Sequence, residues 1–150
     1  MADIRRLERL LTTNEKQLAE AVTATGTNLT SIFGVGHVVA GIVLAHTDDV
    51  TRFRSQDAYA AYAGVAPIEA SSGDVVRHRV NTGGNRQLNH ALHIAATVQI
   101  RHDTDGRRYW LRKRAEGKTP LEATRCLKRQ ICKTVWRILI HDVTPATAAA

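Results

Sequence analysis

The sequence predicts a mostly α fold: six or so helices, one irregular or β-hairpin insertion, and a coiled-coil-like helix at the N-terminus. Three observations carry this. Apolar residues recur at three- and four-residue steps along most of the chain. Helix-start residues (Ser55, Asn85, Asp103 or Thr104, and Thr119) stand just ahead of those runs. The stretch that loses the helical rhythm opens at Pro67, turns through Ser71-Ser72-Gly73 and closes at Gly83-Gly84.

Composition narrows the class. A length of 150 residues suits one domain with a core of useful size, and 43% hydrophobic residues excludes wholesale disorder. A net charge of +7 points to a polyanionic partner, nucleic acid ahead of an anionic membrane. The N-terminus is charged and lacks an apolar signal core, and no run of about 18 apolar residues is present, so neither a signal peptide nor a membrane span is expected. Cys126 and Cys132 lie six apart on no shared ligand spacing and read as reduced residues of a cytosolic protein.

Residues 1–24 form the coiled-coil-like helix. Ile4, Leu7, Leu11, Leu18 and Ala21 make a thin stripe between charged residues, suited to packing on the domain or to pairing with a second copy. A Thr-, Gly- and Asn-rich connector follows, and the main domain occupies residues 25–142. In it, Ile32-Phe33-Gly34-Val35-Gly36 lies between a short apolar turn and a strongly apolar helix, and resembles a helix-hairpin-helix DNA-binding motif. Gly34 and Gly36 let the backbone turn tightly and aim amide groups at a phosphate, while Val35 plugs the core. The plainer reading is a helical corner with no ligand.

Asp48 and Asp49 suggest a metal only weakly; one of them as the cap of a short turn before Phe53 is the stronger reading. Ser55 caps a helix carrying Tyr59 and Tyr62, which read as packing residues ahead of base-stacking platforms, and Gly64 ends it. Between Asp74 and Val80 apolar and basic residues partly alternate, as in a short ribbon. Asn85 caps a helix whose apolar face is Leu88, Leu92 and Ala95, widened by Ala91 and Ala96. His90 and His93, at i and i+3, could share a metal, but with no carboxylate or thiolate at a familiar spacing they read first as boundary residues or a phosphate contact. A basic helix around Tyr109 and Trp110 ends at Gly117. Thr119-Pro120-Leu121-Glu122 opens the last helix as a capping box. Its apolar face is Leu127, Ile131, Val135, Ile138 and Leu139; its basic face is Arg125, Lys128, Arg129, Lys133 and Arg137. Residues 143–150 are expected to be a disordered tail.

The insertion concentrates chemistry. Arg77, Arg79 and Arg86, with His78 and His90 nearby, crowd a Gly-rich segment that also holds Ser71 and Ser72. Guanidinium groups grip phosphates bidentately and neutralise charge developing on their oxygens. A serine hydroxyl in such a setting is a candidate nucleophile, although Ser71-Ser72-Gly73 alone would read as an ordinary turn.

The glycine hairpin is followed in order by Asp49 to Phe53, Ala-Tyr-Ala-Gly-Val-Ala-Pro (Ala61 to Pro67), Ala-Ser-Ser-Gly (Ala70 to Gly73), Arg-His-Arg-Val-Asn (Arg77 to Asn81), Gly-Gly-Asn-Arg (Gly83 to Arg86) and Cys-Leu-Lys-Arg (Cys126 to Arg129). Over about Leu29 to His141 this series resembles the C-terminal serine-bearing domain of the 110/1111-type insertion-sequence transposases, also called bridge-RNA-guided recombinases. The resemblance implies a bacterial, cytoplasmic protein that acts in DNA transposition. Its serine attacks a DNA phosphodiester to give a phosphoserine link: Ser72 by motif match, with Ser71 as the fallback. It also implies DNA or phosphate contacts from Gly34, Gly36, Arg77, Arg79, Asn85 and Arg86, with a guide RNA as a further partner and self-association through the N-terminal helix.

Two departures from that family shape the expectation. No RuvC-like domain with its metal-binding carboxylates precedes residue 1, so the chain reads as an excised domain or a truncated remnant. It is expected to bind without turnover, to carry no cofactor of its own, and to rely on Mg2+ held in the absent domain. Thr82 stands where the family usually has Arg or Lys, which removes a cation worth roughly 1 kcal/mol to phosphate binding. The competing readings are a non-catalytic helix-hairpin-helix module that binds DNA or RNA, and an RNA-binding remnant that packs as an oligomer.

Overall fold

The computed structural model describes residues 2–69, 78–79 and 83–144. Helix α1 (Ala2–Ala24) leads through one 3-10 turn (Leu29–Ser31) to α2 (His37–Thr47), and a second 3-10 turn (Val50–Arg52) leads to α3 (Gln56–Tyr62). Strands β1 (Ile68–Glu69) and β2 (His78–Arg79) pair antiparallel, Ile68 opposite Arg79 and Glu69 opposite His78. Helices α4 (Arg86–Arg101), α5 (Asp105–Ala115) and α6 (Pro120–Val143) complete a mostly α architecture. The glycine hairpin therefore has a single 3-10 turn, and not an α-helix, as its first arm.

Side-chain caps set the starts. Asp49 accepts from the Thr51 amide, Ser55 from Ala58, Asn85 from Leu88 and Thr104 from Arg107. Thr119 and Glu122 form the reciprocal capping box with Pro120 in the first turn. Each such cap stabilises its helix by about 1 kcal/mol. At the other ends, Gly64 (φ +70°) and Gly117 (φ +91°) adopt the left-handed conformation that lets the chain leave a helix without steric penalty.

Helix α4 is the hub, packed on α2, α5 and α6. It buries Leu88, Ala91, Leu92, Ala95 and Ala96 completely or nearly so. Each fully buried leucine is worth about 1.5–3 kcal/mol, and the alanines let neighbouring backbones come close. Gly34 uses that closeness: it has φ +86°, and a Cβ there would lie 2.8 Å from the Ala95 carbonyl oxygen. Val35 fills the core as its spacing predicts, and Leu127, Ile131, Val135 and Leu139 bring in α6.

Only the C-terminal half of α1 docks. Leu18 packs so tightly on Gly41 that a Cβ there would sit 2.9 Å from its Cδ1, and Val22 is buried, whereas Ala21 is exposed. The docking face is therefore Leu18 and Val22, at i and i+4, and not the predicted Leu18 and Ala21. Upstream, Ile4, Leu7, Leu10 and Leu11 are each more than half exposed. The connector after α1 is tied to the end of α6: Thr27 Oγ1, the Asn28 amide and Asn28 Nδ2 all donate to the Asp142 carboxylate, at 2.8, 3.1 and 2.8 Å.

Candidate nucleic-acid interface

The insertion leaves the helical body just after α3 and returns just before α4, and the two points touch. A Cβ on Gly84 would overlap the backbone Cα and N of Gly64 and lie 3.1 Å from the Tyr62 carbonyl oxygen. Hydrogen bonds fasten both strands of this base. The amides of Val65 and Ala66 donate to the Ala60 carbonyl at 3.0 and 3.1 Å, and the Asn85 amide donates to Tyr62 O at 2.7 Å. The Asn85 side chain caps α4 through its oxygen and donates through Nδ2 to Tyr62 Oη at 3.2 Å, while Tyr62 Oη donates to His46 O at 3.0 Å. One helical turn on, Asn89 Nδ2 donates to the carbonyls of Ala63 (3.1 Å) and Gly64 (3.0 Å), and its Oδ1 accepts from Lys128 Nζ. Arg52 lies over the rings of Phe53 and Tyr62, which leaves Tyr62 occupied as a packing residue.

Of the residues singled out in the sequence, Ser71, Ser72 and Arg77 lie outside the described residues, as does Thr82. Arg79 lies in β2, and Arg86 is exposed at the first position of α4. Asn85 is engaged as cap and brace. At the hairpin, Gly36 is the N-cap of α2, and no side chain caps that helix. A Cβ on Gly36 would meet nothing within 4 Å, so the first amides of α2 stand at an open surface. Gly36 has an ordinary φ of −81°, so the tight turn rests on Gly34 alone.

The basic faces are sorted by their partners. Arg108 is held by Asp103 and Asp105 at 2.9 and 2.8 Å, Lys113 by Glu116 at 2.7 Å and Arg129 by Asp57 at 3.2 Å. Lys128, expected on the solvated basic face of α6, is buried, because at its position α6 lies against α4. Among the described residues Arg86, Arg107, Arg125 and Arg137 are exposed and enter no ion pair. These are free to meet phosphate.

Among the described residues no three His, Cys, Asp or Glu side chains gather in a metal-binding group. Partial burial, helped by Lys128 and His90, holds His93 below the usual histidine range. Cys126 and Cys132 are free thiols, and burial pushes Cys132 up to about 12, which makes it unreactive. A cleft of about 660 Å³ beside Phe33, Gln99, Asp105, Tyr109 and Thr134 contains none of the predicted site residues. No described helix is long and apolar enough to cross a membrane.

Sequence reasoning passed over Asn89 and placed Lys128 on the solvated basic face. The signal was present: each is a polar residue adjoining a core position, Leu88 and Leu127, on an otherwise apolar face.

The model of the IS116/IS110/IS902 transposase family matches residues 26–111, more than half of the chain. The chain belongs to that family. Among its relatives, the uncharacterized 43.6 kDa protein of insertion element IS110 from Streptomyces coelicolor is 38% identical over 112 residues, 74% of this chain and 28% of its own length. The uncharacterized 42 kDa protein of IS900 from Mycobacterium paratuberculosis is 33% identical over 126 residues, 80% of this chain and 32% of its own. A protein named putative transposase y4pF/y4sB from Sinorhizobium fredii is 28% identical over 116 residues, 74% of this chain and 30% of its own. The chain thus spans under a third of the length of these relatives. The match from residue 26 to residue 111 takes in the glycine hairpin, the insertion and all of α4, the parts of the fold that surround the candidate interface.

Proposed function

We propose that this chain is the DNA-binding, serine-nucleophile domain of an insertion-sequence transposase, acting in DNA transposition by strand cleavage and exchange. The observation that carries the reading is the family match over an insertion whose two ends are locked together at Gly64 and Gly84. A 19-residue excursion (residues 65–83) bearing Ser72, Arg77 and Arg79 returns to the N-terminus of α4, beside exposed Arg86. In the proposed reaction Ser72 Oγ bonds to phosphorus, one P–O ester bond to a deoxyribose breaks, and the released sugar oxygen gains a proton. The serine gives up its own proton, for which His78 is the candidate acceptor. The arginines hold the phosphate and offset the charge that develops on it. Ser71 is the fallback nucleophile.

The open start of α2 at Gly36 and the unpaired arginines supply a DNA-backbone contact that does not depend on the serine. That favours one second reading, a non-catalytic helix-hairpin-helix module for DNA or RNA. A guide RNA as further partner, self-association through α1, a cytoplasmic location and dependence on a Mg2+-binding RuvC-like domain belong to the first reading. Adding that domain and Mg2+ to the chain with a DNA substrate tests the choice. Strand exchange lost in Ser72→Ala supports the nucleophile, and exchange that survives it leaves the binding module.

A further inference from the structure

Lys128 is the one buried lysine among the described residues, and it has no carboxylate partner there. Its burial, 9% exposed, removes most of the hydration of an ammonium group. The hydrogen bond it donates goes to Asn89 Oδ1. The other end of the same amide donates to two carbonyls, Ala63 and Gly64, at the point where the chain leaves α3. A charge-assisted bond to one end of an amide polarises it and strengthens donation from the other end.

We infer that Lys128 and Asn89 are positioning residues: Lys128, acting through the Asn89 amide, clamps Gly64 against Gly84 and so fixes the base of the insertion that carries Ser72. The value of this clamp to catalysis rests on the proposed role of Ser72; the clamp itself does not. Its logic explains why a cation sits where a leucine or methionine would pack well. A methionine would satisfy the core but could not polarise Asn89. Replacing the ammonium by an apolar side chain of similar length relieves its desolvation but leaves Asn89 Oδ1 without this donor, two effects of opposite sign on global stability. A lysine that only filled space would leave the insertion base unaffected when replaced by methionine.

Amide hydrogen exchange on the 150-residue chain tests this. Lys128→Met should speed exchange at least tenfold at Val65, Ala66 and Asn85 with Ala40 in α2 unchanged, which separates local loosening of the base from a global loss of stability. Asn89→Leu should speed the same amides, and adding Lys128→Met to it should change them less than twofold further, since the lysine acts through the asparagine. Unchanged exchange at the base in Lys128→Met, or additive effects in the double variant, would overturn the clamp. A second arm reads chemistry, with the RuvC-like domain and Mg2+ supplied: Lys128→Met should slow Ser72–DNA adduct formation at least tenfold while DNA affinity changes less than threefold. A fall in affinity with an unchanged rate would make Lys128 a DNA contact and overturn the positioning role. If Ser72→Ala retains activity, the serine reading fails, and the exchange result still decides the clamp.

Discussion

Gly84 lies against Gly64 with no room between their backbones for a methyl group. This contact closes the insertion at its base, and it requires glycine at position 84 for space. Gly84→Ala should destabilise the domain by about 1–3 kcal/mol, the usual cost of forcing a side chain into a packed site. For a chain of this size that lowers the Tm by about 2–4 °C per kcal/mol, readable by thermal unfolding. An unchanged Tm would mean that the two ends are not held together.

The hairpin makes a prediction that separates binding from stability. Gly36→Asp places a good N-cap at the start of α2, where no side chain caps the helix. Stability should hold or rise by about 0.5–1 kcal/mol. DNA affinity should fall at least tenfold, because the new carboxylate occupies the amides and repels phosphate. Binding isotherms and thermal melts on the same variant check both halves; equal affinity would remove the hairpin from the interface.

Asp142 gives the fold a dependence on acid. Its partial burial works to raise its pKa, but hydrogen bonds from the Asn28 and Thr27 side chains and the Asn28 amide outweigh this and hold it below its ordinary value of 3.8. A depressed carboxylate contributes stability that is present above the unfolded-state value and is lost as pH falls through the lower folded value. The tie between the connector and α6 should therefore hold at neutral pH, weaken as pH falls below about 4 and be lost only as pH passes the lower folded value. Denaturant melts across this range should show a shallower acid loss for Asp142→Asn than for the parent.

The exposed stripe of Ile4, Leu7, Leu10 and Leu11 predicts concentration-dependent self-association. Sedimentation of the parent should show a species larger than the monomer, and Leu7→Glu with Leu11→Glu should abolish it. Helicity by circular dichroism should fall in the same variant, because an unpartnered helix half is marginal in water.

What the sequence revealed and what it hid divide along physical lines. Ser55, Asn85 and Thr119 were readable as caps, and Asp49 and Thr104 each as one of two adjacent candidates, because capping is a local match between one side chain and amides two or three residues on. Gly64 and Gly117 were readable as helix ends for the same reason. Lys128 was misread as solvated because its burial depends on α4, distant in sequence, and Val22 takes the place of Ala21 because α2 sets the docking angle of α1. The role of Gly84 was invisible, since nothing in Gly-Gly-Asn-Arg says that Gly64 lies opposite. Of the candidate site, Gly34 makes the tight turn, Gly36 is the N-cap of α2 with an ordinary φ, Asn85 caps α4, and Arg86 is exposed at its start. Ser71, Ser72 and Arg77 lie outside the described residues.

The central claim is covalent chemistry at one hydroxyl, and peptide-mapping mass spectrometry reads it directly. The chain is incubated with the RuvC-like domain, Mg2+ and an insertion-end DNA, then digested and mapped for a nucleotide adduct. A phosphoserine link on Ser72, absent in Ser72→Ala and absent when the chain is incubated alone, is the predicted result. Strand exchange that proceeds with no adduct on Ser72 or Ser71 would contradict it.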